Sequence, residues 1–151
     1  LKSIEGNFDH PEVHELLTKH FVELRAASPE GSAHVLDIPG LQDKSIKFWS
    51  LWNNDMLMGC GALKFLDKEH GEFKSIRIHD NFRRKGNGIS VINHLINEAK
   101  KLNINKLNIE TGAGDFFKPA RTLFKQCGFE VCGPFAHYKE DINSVYFTRT
   151  L

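Results

Sequence analysis

Arg83-Arg84-Lys85-Gly86-Asn87-Gly88 is the stretch on which the reading of this chain turns. It holds three cations and two glycines. Residues 72–78 before it alternate apolar side chains (Phe73, Ile76, Ile78) and predict a strand. After it, Ile89, Ile92, Leu95, Ile96, Ala99 and Leu102 recur with a 3.6-residue period and predict an amphipathic helix with a polar end at Lys100, Lys101 and Asn103. A strand, a glycine loop and a helix in that order leave backbone N–H groups unsatisfied at the helix N-terminus, an arrangement suited to phosphate oxygens. Arg83, Arg84 and Lys85 add the charge a diphosphate would meet. The P-loop pattern is absent, and so is the third glycine of the Rossmann fingerprint. On these residues alone the loop is either an anion cradle or a solvated basic turn with a glycine-assisted helix entry.

On the N-terminal side, residues 10–27 carry Val13, Leu16, Leu17, Phe21, Val22 and Leu24 at helical spacing, with Pro11 in the first turn. Residues 28–44 contain Pro29, Gly31, Pro39 and Gly40 and read as a long loop with one short helical turn, the kind of loop that shapes a site. Residues 45–52 and 56–66 read as strands joined by the turn Asn53-Asn54-Asp55, and with residues 72–78 they form a three-stranded meander. On the C-terminal side a short strand covers 106–111. Pro119 opens a helix that Gly128 closes, and strands at 130–132 and 145–148 complete the sheet. The expected fold class is α+β, a central sheet with helices, in one domain over residues 1–151. Phe48, Trp49 and Trp52 are read either as strand core or as the wall of an aromatic pocket.

The bulk numbers exclude several classes. Hydrophobic residues make up 40% of the 151 and charged residues 26%, the composition of a chain that folds. A formal net charge of +1 gives no broad basic field, so no nucleic-acid partner is expected. No apolar run of about eighteen residues and no leader pattern are present, so no membrane partner and a cytoplasmic location are expected. Cys60, Cys127 and Cys132 lack C-x-x-C spacing, and His10 and His14 lack a third ligand nearby, so no metal is expected.

Arg83-x-x-Gly86-x-Gly88 between a strand and a long helix resembles the coenzyme A pyrophosphate loop of the GNAT superfamily of N-acetyltransferases. Ala120-x-x-Leu123-Phe124-x-x-x-Gly128-Phe129 resembles that family's second motif, and the element order agrees over most of the chain. The resemblance implies a mixed, mostly antiparallel form of the central sheet, flanked by helices. It implies acetyl-CoA as co-substrate, held by Arg83, Arg84, Lys85, Gly86, Asn87, Gly88 and Ile89 and by main-chain groups of Ile76, Arg77 and Ile78, whose isoleucine side chains are equally ordinary core. It further implies acetyl transfer, by direct attack in a ternary complex, to an amine of a small molecule or peptide; a homodimer is compatible with it.

Glu72 lies eleven positions before Arg83, a spacing similar to that of the family's histone-type general base, and is the first candidate for proton acceptor. A strand glutamate paired with Lys74 or Lys64 is the plainer reading. Phe124 stands where many members carry an acidic tyrosine, and Phe117 where they carry an asparagine. Tyr138, in the loop 133–143, is therefore the candidate acid. Glu110, at the end of the strand that faces the cofactor in this fold, is a candidate for binding substrate or acting as second base. The two phenylalanines also motivate the rival reading, a CoA-binding sensor or inactive relative.

Overall fold

A computed structural model describes all of residues 1–151. Seven strands form one sheet: β1 (Lys2–Glu5), β2 (Ile46–Asn53), β3 (Met56–Phe65), β4 (His70–Ile78), β5 (Lys106–Gly112), β6 (Glu130–Cys132) and β7 (Ser144–Thr150). Their order across the sheet is β1-β2-β3-β4-β5-β7-β6. Only β4 and β5 run parallel; the helix between them makes the crossover that a parallel pair requires. The helices are α1 (Pro11–Ala27), α2 (Ile38–Leu41), α3 (Asn87–Lys101) and α4 (Lys118–Gln126).

Strand alternation divides the core between the two faces. In β2, Phe48 and Trp52 turn toward Val13, Leu16 and Leu17 of α1. Trp49 and Leu51 turn the other way, toward Val91, Ile92, Leu95 and Ile96 of α3. Each such fully buried aliphatic side chain contributes about 1.5–3 kcal/mol relative to exposure. The aromatic trio of β2 is therefore core on both faces. Gly61 lets α3 settle on the sheet, since a Cβ there would stand 2.4 Å from Leu95.

The expected helices and strands are all present, with small shifts: β4 starts at His70 and α3 at Asn87, two residues earlier than the periodicity predicts. β1 is an addition. Its four residues are mostly exposed and too short to show a period, and it is held by antiparallel pairing with β2, Lys2 opposite Trp52.

Candidate active site

The sheet opens between β4 and β5. Their pairing runs from His70 opposite Lys106 to Phe73 opposite Ile109 and stops there, while β4 continues to Ile78 and β5 stays paired with β7 through Gly112. The cause is local. Between Cys60 and Ala62 the register of β3 with β4 shifts, and Ser75 takes a left-handed φ of 53°, so β4 bulges and bends away from its neighbour. From Lys74 to Ile78 the β5 side of β4 has no strand partner. Ile76 and Ile78 meanwhile pack their side chains on the core. The fork thus leaves main-chain groups open over about 13 Å, at ~3.3 Å per residue.

The wide end of the fork meets the loop before α3. No protein acceptor takes the N–H groups of residues 84–89, and the helix has no side-chain cap. The two glycines serve different ends. Gly86 caps the helix with φ 77°, which favours glycine, and nothing stands within 4 Å of where its Cβ would lie. Gly88 is a packing residue, because a Cβ there would be 2.8 Å from Leu123 of α4. The cations divide too. Arg83 turns back, its Nε donating to the carbonyl of Ile78 at 3.3 Å and lying 3.4 Å from Asp80. Arg84 and Lys85 are exposed and ion-paired to nothing. Asn87 donates to the carbonyl of Phe82 and fixes the turn, and Ile89 is exposed in the first helical turn.

Arg77 sends its side chain away from the fork. Its guanidinium is 3% exposed, donates to Glu23 of α1 at 2.7 Å and lies 3.5 Å from Asp80, which also bonds Lys19. The bond from Arg77 holds the Glu23 carboxyl below its usual range, and that from Lys19 does the same for Asp80. Beside this cluster His20 is buried with Nδ1 unpartnered; burial and the Arg77 charge pull its pKa down to about 3.

The narrow end of the fork is acidic. Glu72, 1% exposed, accepts at Oε2 the hydroxyl proton of Tyr138 at 2.6 Å, with Lys74 Nζ 3.3 Å away. Lys74 also donates to the Tyr138 oxygen at 3.0 Å. The other oxygen of Glu72, Oε1, is sealed and has no partner. Burial and the adjoining Glu72 carboxylate push the Tyr138 phenol well above its usual pKa, so the proton stays on the phenol oxygen and is donated to Glu72. Rings of Phe135, Tyr146 and His34 surround it, 5.1–5.8 Å between centroids. Glu110 is half-buried one residue past the fork. Its Oε2 accepts from Ser144 at 2.8 Å, and burial raises its pKa, against the pull of the Ser144 bond.

Glu72, Lys74 and Glu110 line one cleft with Ser32 and His34 of the loop after α1 and with Phe117. The structure thus brings Glu110 and Tyr138, 38 and 66 positions from Glu72 in the chain, together with Glu72, and places Arg83–Ile89 at the opposite end of the fork. Phe124 is not among the residues that line the cleft; its ring packs on Phe129 and Phe147 in the core. Lys74, His34 and Ser32 escape sequence reasoning. Lys74 is readable only as a partner of Glu72, and the other two sit in a loop with no period. Ser32 is tied across to the last loop, donating to Asp141 at 3.2 Å and accepting from Asn143 at 3.3 Å.

A mixed sheet that forks between two parallel strands, with open N–H groups at one end and carboxylates at the other, defines the class of acyl-CoA N-acyltransferase folds. The chain belongs to the acetyltransferase (GNAT) family, whose model matches residues 10–129, and is an acetyl-CoA-dependent N-acyltransferase. It is 44% identical over 140 residues, 93% of each chain, to the uncharacterized N-acetyltransferase YsnE of Bacillus subtilis. It is 37% identical over 142 residues to the uncharacterized N-acetyltransferase YedL of Escherichia coli, covering 94% of this chain and 89% of that one. A Bacillus subtilis acetyltransferase solved in complex with CoA shares the fold at a TM-score of 0.72 and 20% identity, covering 100% of this chain and 99% of that one.

Proposed function

We propose that this protein transfers the acetyl group of acetyl-CoA to a primary amine of a small molecule or peptide by direct attack with both substrates bound. The observation that carries the reading is the fork: unpartnered main-chain N–H groups at residues 84–89 lie at its wide end and three polar side chains, Glu72, Lys74 and Glu110, at its narrow end. The residues present fit coenzyme A. Open N–H groups at a helix N-terminus, free space at Gly86 and the unpaired Arg84 and Lys85 suit a pyrophosphate. The bare edge of β4 from Lys74 to Ile78 suits an amide-bearing arm such as pantetheine.

Acetyl-CoA supplies an activated carbonyl. The chain's own part is to orient it, hold the amine beside it and accept a proton, because an ammonium does not attack. The polar cleft supports an acceptor that arrives charged. A relative from Azospirillum brasilense, 29% identical over 125 residues, bears the name IAA acetyltransferase, and a fold by itself does not fix the acceptor.

Calorimetry with acetyl-CoA and CoA, followed by thiol release over a panel of polyamines, amino-acid amides and aminoglycosides, tests the reading. Binding without turnover of any amine identifies a CoA sensor instead. Failure to bind either nucleotide removes both readings.

A further inference from the structure

Two carboxylates face the narrow end of the fork, and their surroundings differ in a way that divides the work between them. Both oxygens of Glu72 are closed: Oε2 by Tyr138 and Lys74, Oε1 by burial. An amine reaches Glu72 only if Tyr138 moves, and the rings of Phe135, Tyr146 and His34 hold Tyr138 in place. Glu110 differs on each count. It is the first residue of β5 beyond the last β4 pair, Phe73 opposite Ile109. Ser144 fixes its Oε2, and its Oε1 has no protein partner and is not sealed. Two residues on, Gly112 leaves the strand without a side chain next to it, a Cβ being barred by Phe117 at 2.1 Å.

The charge count points the same way. The groups facing Glu110 are Glu72 and Lys74 of β4, His34 of the loop after α1 and, across β7, Ser144 and Tyr146. Glu72 and Lys74 neutralise one another, which leaves Glu110 as the one uncompensated carboxylate and makes the cleft select a cation.

Resting on the acetyl-transfer reading, we propose that Glu110 receives the acceptor's ammonium at Oε1 and takes its proton, while Glu72 positions Tyr138 and Lys74 as the wall against which the acceptor docks. The balance is simple. The ammonium loses two protons, one to Glu110 and one that ends on sulfur. The nitrogen forms a bond to the acetyl carbonyl carbon, the carbon–sulfur bond breaks, and its electron pair leaves as thiolate to become the CoA thiol. Nothing is oxidised or reduced.

The order of reactivity of the two carboxylates decides this independently of any acceptor. In CoA-bound protein, a water-soluble carbodiimide with methylamine, followed by peptide mass spectrometry, is expected to couple Glu110 at least about tenfold faster than Glu72. Tyr138→Ala, which removes the ring, should bring Glu72 into reaction. Faster labelling of Glu72 in the unmodified protein overturns the inference.

Turnover supplies the second readout. With n-butylamine as probe, Glu110→Gln should lower kcat/KM by about 100-fold, the low end of general-base effects, and abolish the acidic limb of its pH profile. Glu110→Asp should restore part of the rate, and Glu72→Gln should lower the rate while keeping the limb. A Glu110→Gln profile matching the parent's overturns the inference. Absence of CoA binding in the parent protein instead strikes the acetyl-transfer reading itself, a failure that calorimetry separates from the labelling order.

Discussion

The hydroxyl of Tyr138 donates to Oε2 of Glu72 across 2.6 Å, joining the last loop of the chain to the strand that begins the fork, 66 positions earlier. Lys74 closes the triangle. A buried carboxylate held by one neutral and one charged donor is costly to leave half-satisfied. Tyr138→Phe is therefore expected to destabilise the fold by about 1.5–3 kcal/mol, the range for a hydrogen bond to a charged group. A lower urea midpoint at unchanged m-value checks it. An unaltered midpoint would mean that the bond contributes nothing net.

The two glycines of the loop before α3 make a separable pair. Gly88→Ala drives a methyl to 2.8 Å from Leu123 and should cost about 1–3 kcal/mol by overpacking α3 against α4. Leu123→Ala in the same chain should recover part of that loss, because it removes the opposing methyls. Gly86→Ala meets no atom within 4 Å and should cost only about 1 kcal/mol, from its φ of 77°. Thermal unfolding of the three variants checks the order, and equal losses without rescue would refute it.

His20 makes stability depend on pH. Its pKa falls from 6.5 in the unfolded chain to about 3 in the fold, so between those values the unfolded chain binds the extra proton. The stability it carries is complete above the unfolded value and is lost as pH falls toward about 3. Between about pH 7 and pH 5 the parent protein should lose roughly 2 kcal/mol more than His20→Leu. Urea titrations of both chains at the two pH values measure the difference; parallel losses would show that His20 titrates as it does in water.

Arg84 and Lys85 are exposed and unpaired, whereas Arg83 is engaged with Asp80 and the Ile78 carbonyl. Replacing Arg84 and Lys85 together with alanine should weaken CoA binding by about tenfold, or 1.4 kcal/mol, with the unfolding midpoint unmoved. The deficit should shrink as salt is raised, since both charges are solvent-facing. Calorimetry at two ionic strengths decides it, and a deficit indifferent to salt would locate the phosphate contacts elsewhere.

Much of this was readable from residue order. The 3.6-residue stripe of α3, the alternation of β4 and the Pro119 and Gly128 boundaries of α4 are local signals, because helix and strand periods depend on which side chains a few residues of backbone can bury. Other features were out of reach. β1 is too short and too exposed to carry a period. Arg83 and Gly88 look like their neighbours in the loop until packing shows that one turns back on Asp80 and the other makes room for Leu123. That the Phe124 ring packs among Phe129 and Phe147 is likewise visible only in the fold.

By itself the sequence determined the order of the elements after β1 and the loop before α3, since each is written in spacing over a few turns of helix or a few residues of strand. Only the tertiary structure decided which carboxylate is open. Glu72 and Glu110 are equivalent as letters on two strands. Their difference arises from Tyr138 and Lys74 on one and Ser144 on the other, and from a bulge at Ser75 that parts β4 from β5 beyond Phe73. Burial, and the partners available within 3 Å, are properties of residues far apart in the chain, and no local pattern encodes them.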